Sequence, residues 1–397
     1  MRILLVSEIF PPEHGGSGRW FWEIYSRLSR ESIFIAAGQH PDEESFDNGH
    51  DLPLERIPLT MNAWGIRSFE GLRGYWRGFR NIRRLVRRER ITILHAARCL
   101  PEGVMAWTIK RRLGVPFICY VHGEDVNSAS HSRELSWLTR RVLDSAEYVV
   151  ANSRNTADIL HQEWNLNQTR VRVMHPGMDG DRFVPAAHSP ETRQRLGWQG
   201  RTVVLTVGRL QKRKGQDHMI LALPSIRAHI PNILYAIVGD GEERSALKEL
   251  AVQQGVMAHV RFLGELRDRE LVECYQQCDL FALPNREVDR DIEGFGMVLV
   301  EAQACGKAVL AGASGGTAET LRQNETGRCI PCDDPQVLAG NVVELLRDRA
   351  SLERMGTAAR AWAVERFDWA NLVREAAELF GVHQSVSKPG RELAACS

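Results

Sequence analysis

Short apolar runs alternate with amphipathic segments along most of the chain. Each run is followed by turn residues and then by a stretch whose apolar positions are three and four residues apart. A continuous apolar run is typical of a strand buried on both faces, and the wider spacing is typical of a helix. The pattern predicts an α/β protein with parallel sheets. The runs lie at 2–7, 33–37, 91–95, 116–122, 148–151 and 171–175, and again at 202–207, 233–238, 260–263, 280–283, 308–311 and 327–330.

These runs form two sets, separated by a stretch at 185–200 that changes in character and resembles a linker. A chain of 397 residues is too long for one ordinary core. We therefore predict two doubly wound, Rossmann-like domains, the first at 1–185 and the second at 186–365. Ligands are expected at the carboxyl ends of the strands, in the cleft between the domains.

Composition and charge narrow the choice of partner and compartment. With 43% hydrophobic residues, 25% charged residues and a net charge of +1, the chain shows no general affinity for polyanions, so nucleic acid is not expected as a partner. Eight cysteines without zinc-site spacing indicate reduced thiols in the cytoplasm. No apolar stretch is long enough to cross a bilayer, and the N-terminal run is a buried strand and not a signal peptide.

Residues 64–90 combine many arginines with aromatic residues. The apolar positions keep spacings of three and four, which predicts a basic amphipathic helix. Two interpretations are open: the helix docks on an anionic membrane surface, or it is a solvated helix whose apolar stripe lies in the core. The arginines are at 67, 73, 77, 80, 83, 84, 87, 88 and 90, and the stripe consists of Phe69, Leu72, Trp76, Phe79, Ile82 and Val86.

A basic loop follows the first strand of the second domain and contains Arg209 and Lys214. Cations at the carboxyl end of a strand face the ligand side of a parallel sheet. A guanidinium fork and an ammonium group together suit the two phosphates of a nucleotide diphosphate. The neighbours Lys212 and Arg213 are interpreted as solvated.

The segment Glu293–Glu301 places one carboxylate on each side of a glycine turn and the start of an apolar helix. If Glu293 lies in the loop and Glu301 in the helix, the amides of 294–296 form a helix N-terminus. Such an N-terminus binds anions through its unpaired N–H groups and its dipole. Two carboxylates that bracket a phosphate site suggest a nucleotide sugar as the ligand.

The first domain contributes a glycine pair and a histidine. Gly15 and Gly16 lie in the loop after the first strand, although this turn lacks the G-x-G-x-x-G pattern of dinucleotide-binding folds. His122 ends a strand and precedes two acids, which predicts a hydrogen bond to a sugar hydroxyl or a role in proton transfer. The alternative is a structural histidine that caps the loop.

A metal site is not expected. Asp289 and Asp291 match the D-x-D spelling that some transferases use to hold a metal ion with the diphosphate. Arg290 between them, together with the cations of the basic loop, already supplies the charge that the phosphates need.

Taken in order, these residues resemble the retaining GT-B glycosyltransferases of family 4, the large group 1 family that includes bacterial phosphatidylinositol mannosyltransferases. Each motif is modest alone, but the ordered set covers roughly residues 1–370. The matching motifs are Gly15-Gly16, His122-Gly123, Pro176-Gly177-x-Asp179, Val207-Gly-Arg209 with Lys214-Gly215, Val238-Gly-Asp-Gly241, Arg261-Phe-Leu-Gly264, Glu293-x7-Glu301 and Gly315-Gly316-x-x-Glu319.

The resemblance implies roles in the second domain. Glu301 would hold the ribose hydroxyls of the donor, and Glu293 the hydroxyls of its sugar. Arg209 and Lys214 would stabilise the departing diphosphate, where charge develops. The remaining donor-binding positions are backbone groups: Gly294, Phe295 and Gly296 at the sugar and distal phosphate, and Arg261, Phe262 and Leu263 at the base.

In the first domain, Gly15 and Gly16 would approach the phosphates and His122 the donor sugar. The residues implied in catalysis are thus His122, Arg209, Lys214 and Glu293. The resemblance also implies that a C-terminal helix at 366–382 returns to the first domain. The tail at 383–397 is rich in Ser, Lys, Pro and Gly and is expected to be disordered.

We therefore expect a hexosyltransferase that uses GDP-mannose or a UDP-hexose, with a slight preference for GDP-mannose because residues 291–296 resemble those of mannosyltransferases. The acceptor would be lipid-linked or a cell-envelope polysaccharide, as in bacterial polysaccharide or lipopolysaccharide synthesis. The resemblance implies retention of configuration, with no metal and no cofactor. The expected location is the cytoplasm, or the inner face of the cytoplasmic membrane if residues 64–90 dock there.

Two alternatives share this scaffold: the same chemistry on a soluble small-molecule acceptor, and a non-catalytic protein that binds nucleotide sugars. The complete set of Arg209, Lys214, Glu293 and Glu301 argues against the second. A dinucleotide-dependent epimerase is disfavoured because the first turn lacks G-x-G-x-x-G.

Overall fold

The computed structural model describes residues 1–13, 15–266 and 268–385, with only the backbone of Asp268. The chain divides into two compact units. Unit 1 contains Met1–Pro176 and the chain from Trp369 onward, and unit 2 contains Gly177–Asp368. Each unit has its own parallel sheet with helices, as expected for an α/β protein with two doubly wound domains.

The first boundary falls earlier than the predicted 185 because the segment that follows it packs inside unit 2. The Met178 amide donates a hydrogen bond to the Phe367 carbonyl at 2.8 Å. Phe183 is fully buried in the core of unit 2, and its carbonyl accepts a hydrogen bond from Arg360 at 2.6 Å. The stretch at 185–200, predicted as a linker, therefore belongs to unit 2.

Seven parallel strands form the sheet of unit 1. They are β1 (Ile3–Ser7), β2 (Ile33–Ala37), β3 (Leu54–Arg56), β4 (Ile93–Ala96), β5 (Phe117–Val121), β6 (Val149–Ala151) and β7 (Val171–Val173). Their order is β3-β2-β1-β4-β5-β6-β7, so the winding direction reverses between β1 and β4. In register, Ile3 lies opposite both Ile33 and Ile93.

The sheet of unit 2 repeats this topology with six parallel strands. They are β8 (Thr202–Val207), β9 (Ile233–Val238), β10 (Val260–Gly264), β11 (Leu280–Leu283), β12 (Val309–Gly312) and β13 (Gly327–Ile330). Their order is β10-β9-β8-β11-β12-β13, so the winding direction reverses between β8 and β11. Ligands of open parallel sheets bind at such a switch point, beyond the carboxyl ends of the strands.

Fifteen α-helices connect and cover these strands within the described residues. They are α1 (Gly16–Tyr25), α2 (Glu43–Asp47), α3 (Phe69–Arg88), α4 (Val104–Leu113), α5 (Glu124–Ser130), α6 (Arg133–Ser145), α7 (Arg154–Gln162), α8 (Pro190–Leu196), α9 (Gln216–His229), α10 (Arg244–Gln253), α11 (Asp268–Gln277), α12 (Met297–Ala304), α13 (Pro335–Arg347), α14 (Arg349–Phe367) and α15 (Trp369–Phe380). No described helix is both long enough and apolar enough to cross a membrane.

Burial explains which strands the sequence pattern found. β1, β5 and β9 are buried along their whole length, because helices cover both faces of each sheet, and their sequences are therefore continuous apolar runs. β3 was not predicted. It is a three-residue edge strand, Leu-Glu-Arg, of intermediate exposure, too short and too polar to stand out.

The last helix, α15, packs on unit 1. The Phe380 ring lies 6.1 Å from the Tyr25 ring of α1 and 4.7 Å from the His95 ring of β4. The Tyr25 hydroxyl forms hydrogen bonds with His95 Nδ1 at 2.6 Å and with the Tyr120 hydroxyl at 3.0 Å. Burial lowers the pKa of His95 to about 3, so its ring is neutral and Nδ1 can accept the hydroxyl proton.

The chain beyond α15 continues along unit 1. The Ser29 amide donates to the His383 carbonyl at 2.9 Å, and the Ser385 amide donates to the Arg27 carbonyl at 2.8 Å. Residues 383–385, predicted as part of a disordered tail, are thus hydrogen-bonded to unit 1. The rest of that predicted tail, 386–397, lies outside the described residues.

The predicted amphipathic helix is α3, and its buried face contains Ile82 and Val86 of the predicted stripe but not Phe69, Leu72 or Trp76. Phe69 and Trp76 are 83% and 60% exposed. The core side instead includes three glycines spaced three and four residues apart, Gly71, Gly74 and Gly78. A Cβ at Gly71 would lie 1.8 Å from a backbone oxygen, and one at Gly78 would lie 2.4 Å from a methionine sulfur. The pattern of large apolar residues missed a face that packs closely because its side chains are absent.

Candidate functional site

The candidate site in unit 2 lies at the switch point between β8 and β11. The loop after β8 contains Arg209 and Lys214 and leads into α9. The loop after β11 contains Glu293 and leads into α12. Because β8 and β11 are neighbours, their loops leave the same edge of the sheet side by side. The two motifs, about 80 residues apart in sequence, therefore meet in space.

Three side chains form an ion cluster at this edge. Glu293 Oε2 accepts hydrogen bonds from Arg213 Nη1 at 2.7 Å and from Lys214 Nζ at 2.5 Å. Arg213 Nε also lies 3.0 Å from a carboxylate oxygen of Asp291. Glu293 is only 8% exposed, so its charge depends on the two cations.

The cations outweigh the effect of burial on Glu293. Burial alone would raise the pKa of its carboxyl group, whereas the charges of Lys214 and Arg213 and their hydrogen bonds lower it. The net result is a pKa below the ordinary value, so Glu293 is ionised at neutral pH. It is therefore an acceptor of hydrogen bonds at neutral pH and not a proton donor.

Arg213 belongs to this ion cluster, although its side chain was predicted to be solvated. Its side chain is 12% exposed and pairs with two carboxylates, whereas Lys212 beside it is exposed, as predicted. The 3₁₀ turn Lys212–Lys214 directs these neighbouring side chains differently. The sequence does contain two acids, Asp291 and Glu293, that could pair with the adjacent cations Arg213 and Lys214. This pairing could not be predicted, because it requires contact between the loop after β8 and the loop after β11.

Close approach of glycines holds the two loops in place. Gly215 has a φ of 74°, and a Cβ there would lie 1.9 Å from the Pro284 carbonyl oxygen. Gly315 has a φ of 68°, and its Cβ would lie 1.9 Å from the Glu293 carbonyl oxygen. The next residue, Gly316, donates its amide to that same oxygen at 2.9 Å. Glycine is required at these positions by both space and backbone angle.

The helix start predicted after Glu293 is present. Gly296 is the N-cap of α12, with a φ of 89°, and Phe295 is buried against Phe367 with its ring 5.5 Å away. Gly294 lies between Glu293 and this cap. The first amides of α12 therefore face the loop that carries the ion cluster, a geometry that favours an anion.

Glu301 lies within α12 and is 2% exposed. Its Oε2 accepts a hydrogen bond from the Tyr275 hydroxyl of α11 at 2.7 Å. This partner is not predictable from the sequence, because Tyr275 has no local signal that separates it from other core residues. Glu301 is thus fixed in one orientation by a buried hydroxyl.

The other predicted positions of unit 2 lie at its exposed edges. Arg209 is exposed, and its guanidinium makes no hydrogen bond or ion pair with any of the described residues. Arg261, Phe262 and Leu263 lie on β10, the edge strand of the sheet. The Arg261 guanidinium packs against Gly197, where a Cβ would lie 2.2 Å from its Nη1.

Gly15, Gly16 and His122 belong to unit 1. Gly15 is the N-cap of α1 and Gly16 its first residue, so Gly16 belongs to the helix and not to the predicted loop. The predicted glycine loop therefore includes the first turn of α1. That turn packs closely on the preceding loop, since a Cβ at Gly18 would lie 3.1 Å from the Ile9 side chain.

His122 follows β5 and contacts α1. Its Nε2 donates to the Ala97 carbonyl at 2.8 Å, which leaves Nδ1 as the acceptor in the neutral ring. The ring packs edge-on against Trp20 and Phe21, with centroids 5.7 and 5.9 Å away. These contacts fix the ring against α1, and the role of His122 toward a donor sugar stays a prediction.

No group of three or more His, Cys, Asp or Glu side chains within the described part of the chain converges as metal ligands do. Asp289 and Arg290 both have positive φ, at 50° and 65°, and form a tight turn before Asp291. Asp291 is engaged with Arg213.

Comparison with known proteins identifies similar sequences over nearly the whole chain. Residues 188–362 match the model of "Glycosyl transferases group 1", and residues 14–182 match that of "Glycosyltransferase Family 4". A GDP-mannose-dependent alpha-(1-6)-phosphatidylinositol monomannoside mannosyltransferase of Mycobacterium tuberculosis is 31% identical over 394 residues, which cover 95% of this chain and 97% of the relative. A D-inositol 3-phosphate glycosyltransferase of Salinispora arenicola is 33% identical over 75% of this chain and 70% of the relative.

Solved structures share the fold. HepE of Anabaena in complex with UDP has a TM-score of 0.80 at 22% identity, covering 96% of this chain and all of the other. WaaG, a glycosyltransferase involved in lipopolysaccharide biosynthesis, has a TM-score of 0.70 at 19% identity, covering 96% and 99%. At these identities the likeness concerns the arrangement of strands and helices alone.

Proposed function

The chain belongs to the group 1 glycosyltransferases, and from that premise we propose that it transfers a mannosyl group from GDP-mannose to a lipid-linked acceptor, with retention of configuration and without a metal ion. As a member of this family it is an enzyme that transfers a glycosyl group from a nucleotide sugar. The observation that carries the proposal is the Lys214–Arg213–Glu293 cluster beside the start of α12.

This cluster suits the departing diphosphate. Negative charge develops on the phosphate oxygen as its bond to the sugar breaks, and preformed cations stabilise that charge most effectively. Lys214 and Arg213 are balanced by Glu293. When the diphosphate binds, both cations can serve its oxygens, and the amides at the start of α12 add further donors.

Glu293 holds the donor sugar in this proposal. Both cations contact its Oε2, so Oε1 is the atom that accepts a hydrogen bond from a sugar hydroxyl. A carboxylate held ionised by two cations is a poor nucleophile and a poor acid. This property suits a residue that only holds a sugar hydroxyl by a hydrogen bond. Glu301, held by Tyr275, takes the corresponding place at the ribose hydroxyls.

The reaction then needs no enzyme-bound intermediate. The acceptor hydroxyl attacks the anomeric carbon on the face from which the diphosphate leaves. The bond from carbon to the phosphate oxygen breaks, and the acceptor's proton passes to that oxygen, so configuration is retained. The proposal of metal independence is supported by the positive charge of Arg213 and Lys214 in this cluster and of Arg209 nearby in the same loop, which would replace the charge of a divalent ion.

The choice of donor and acceptor is supported by the relatives. The similar enzymes of Mycobacterium tuberculosis and Corynebacterium glutamicum are named as GDP-mannose-dependent and act on phosphatidylinositol monomannosides. The Salinispora arenicola relative is named for a soluble acceptor, inositol 3-phosphate. The exposed face of α3 favours the lipid-borne acceptor for this chain.

That face has the character of a membrane-binding surface. Phe69, Leu72 and Trp76 are exposed on the N-terminal half of α3, and Arg80 stacks on Trp76 at 4.9 Å. Exposed aromatic residues flanked by arginines are typical of helices that lie in the headgroup region of anionic bilayers. A second exposed pair of this kind lies on α6, where Trp137 is 45% exposed and the Arg141 guanidinium stacks 5.4 Å from its ring.

Donor and acceptor can be tested together. The purified enzyme is offered GDP-mannose, UDP-glucose or UDP-galactose, with either phosphatidylinositol mannoside in vesicles or free inositol 3-phosphate. We expect GDP release and an α-linked product on the lipid, unaffected by chelators. Turnover of a UDP-sugar but not of GDP-mannose would refute the donor assignment, and transfer to inositol phosphate alone would refute the lipid acceptor.

Membrane binding has its own test. Arg83 and Arg87 are exposed and form no ion pair with the described residues, so Arg83→Glu/Arg87→Glu should abolish sedimentation with anionic vesicles while neutral vesicles bind neither form. Arg349→Glu/Arg354→Glu on α14 makes the same charge change and should bind as the wild type does. Equal binding of both variants would exclude α3 as the docking face.

A further inference from the structure

A buried carboxyl group connects the loops that follow β1 and β4 in unit 1. Glu102 is completely buried, and its Oε1 accepts a hydrogen bond from the Glu8 amide at 2.8 Å. Arg98 lies 3.6 Å from Oε2 of Glu102 and 3.6 Å from Oε2 of Glu8. Because β1 and β4 are the strands between which the winding of unit 1 reverses, this cluster occupies the switch point of that unit.

Such a group is costly to bury. A carboxyl group removed from water needs hydrogen bonds to both oxygens, yet Glu102 Oε2 accepts none from the described residues and has only the longer contact with Arg98. An apolar side chain would fill the same space at lower cost. The position therefore points to a role beyond packing.

That role follows from the loop that Glu102 holds. Glu8 is the first residue after β1, and the loop ends at Gly15 and Gly16, where α1 begins. The middle of the loop has a second anchor, since Arg56 Nη2 donates to the Pro11 carbonyl at 2.6 Å. The start of the loop is thus fixed by a side chain from the segment that follows β4, and its middle by a side chain from β3.

We propose that Glu102 is a positioning residue, whose buried carboxyl group fixes the loop after β1 so that the N-terminus of α1 is correctly placed for the donor. This inference rests on the proposed function, because it takes Gly15 and Gly16 as the backbone that approaches the donor. Glu102 itself touches no substrate.

The anchor responds to pH near neutrality. Burial raises the pKa of Glu102 to about 7, against the opposing charge of Arg98. The other titratable groups that face this cluster are Glu8, Cys99, Tyr75 of α3, and Glu124 and Asp125 of α5. The protonated form leaves Arg98 to pair with Glu8, whereas the ionised form competes for it. Since the folded pKa is raised, the stability that Glu102 contributes is present below about pH 4.5 and is lost as the pH rises through 7.

Two substitutions separate these properties. Glu102→Gln keeps an oxygen that can accept the hydrogen bond of the Glu8 amide, but its side chain cannot ionise. Glu102→Ala removes both the hydrogen-bond acceptor and the ionisable group. We expect E102A to raise the donor KM about tenfold with a smaller change in kcat. We expect E102Q to keep the donor KM of the wild type but to lose the inflection near pH 7 in the pH dependence of that KM. Glu55→Gln, which removes a carboxylate paired with Arg84 and Arg88 on the surface of unit 1, is the matched control and should behave as the wild type does.

Hydrogen exchange tests the anchor without reference to turnover. The amides of Ile9, Phe10, Glu13 and residues 15–18 should exchange faster in E102A than in the wild type or E55Q, and E102Q should show wild-type protection. Unchanged exchange in E102A, or an inflection near pH 7 that persists in E102Q, would overturn the inference. A wild-type enzyme that turned over no nucleotide sugar would instead refute the proposed function, and the exchange result would still decide the role of Glu102.

Discussion

One carboxylate oxygen, Glu293 Oε2, balances two cations of the candidate site. The charges of Lys214 and Arg213 are thereby held in position. Preformed groups do not have to reorganise as charge develops, which is the main electrostatic advantage of an enzyme site over water. The consequences can be tested one residue at a time.

Lys214→Ala should lower kcat for sugar transfer about 100-fold or more, because it removes a cation from the departing diphosphate. The donor KM should change much less, since this interaction strengthens only as the bond breaks. Steady-state release of nucleoside diphosphate measures both constants. Lys212→Ala, two residues away and exposed, is the control and should match the wild type. Equal losses in the two variants would show a general effect of the basic loop.

The pKa of Glu293 predicts how stability depends on pH. Because the folded pKa is lowered, the stability contributed by the ion cluster is present above the unfolded value of about 4.5 and is lost as the pH falls through the folded value. Glu293→Gln should therefore reduce the free energy of unfolding by about 3 kcal/mol at pH 7, with a smaller difference below about pH 4.5. Urea unfolding at several pH values measures this.

The comparison for that experiment is an exposed ion pair. Glu344 pairs with Arg328 on the surface of unit 2 and also has a lowered pKa, from the hydrogen bond and charge of Arg328. Solvent screens this pair, so Glu344→Gln should cost less than about 1 kcal/mol at every pH. An equal effect of both substitutions would mean that burial adds nothing at Glu293.

At the level of the secondary-structure element, α3 shows how absent side chains shape packing. Glycine in a helix interior normally costs about 1 kcal/mol relative to alanine. On α3 the glycines bring the helix against the loop that precedes it and against α4, and larger residues at those positions would collide with backbone or with Met105. Tyr75 is buried on this helix, whereas Phe69 and Trp76 are exposed.

Gly71→Ala should therefore destabilise the protein by about 1–3 kcal/mol, because the new methyl group would lie 1.8 Å from the Gly65 carbonyl oxygen. Gly340→Ala on α13 is the matched control. No atom lies within 4 Å of the added group there, so alanine should stabilise by about 0.5–1 kcal/mol. Thermal unfolding of the two variants compares them, and a rise in midpoint for both would contradict the close packing of α3.

At the scale of the whole molecule, the units do not follow the order of the chain, because the last segment, from Trp369, belongs to unit 1 and not to unit 2 that precedes it. Phe367 and Phe380 are separated by one short stretch of sequence, yet Phe367 lies in the core of unit 2 and Phe380 packs on α1 and β4 of unit 1. Both rings are nearly fully buried. Phe→Ala in a core typically costs about 3–5 kcal/mol.

Phe380→Ala should therefore destabilise unit 1, and Phe367→Ala unit 2. Hydrogen exchange followed by mass spectrometry assigns each loss of protection to its peptides, while calorimetry gives the transitions. In F380A, faster exchange should reach β1 and β4, at the opposite end of the sequence. Loss of protection in the same unit for both variants would refute the division of the chain between residues 368 and 369.

Much of the fold was predictable because its signals are local. A strand covered on both faces must be apolar along its length, so the central strands appeared as apolar runs. The alternation of strands and helices predicted parallel sheets. In the segment Glu293–Glu301, the glycines at 294 and 296 predicted where the helix begins, and Gly296 is the N-cap of α12. The family followed from the order of such motifs, whereas the roles of the site residues remain predictions.

The sequence alone thus predicted the two parallel sheets and the family correctly, because each depends on residues close together in the chain. The folded structure was needed for the partners of Arg213 and Glu301, the glycine face of α3, and the contact of Glu102 with Glu8. Each of these joins segments that are far apart in sequence, and local patterns do not specify which loops become neighbours at the edge of a sheet.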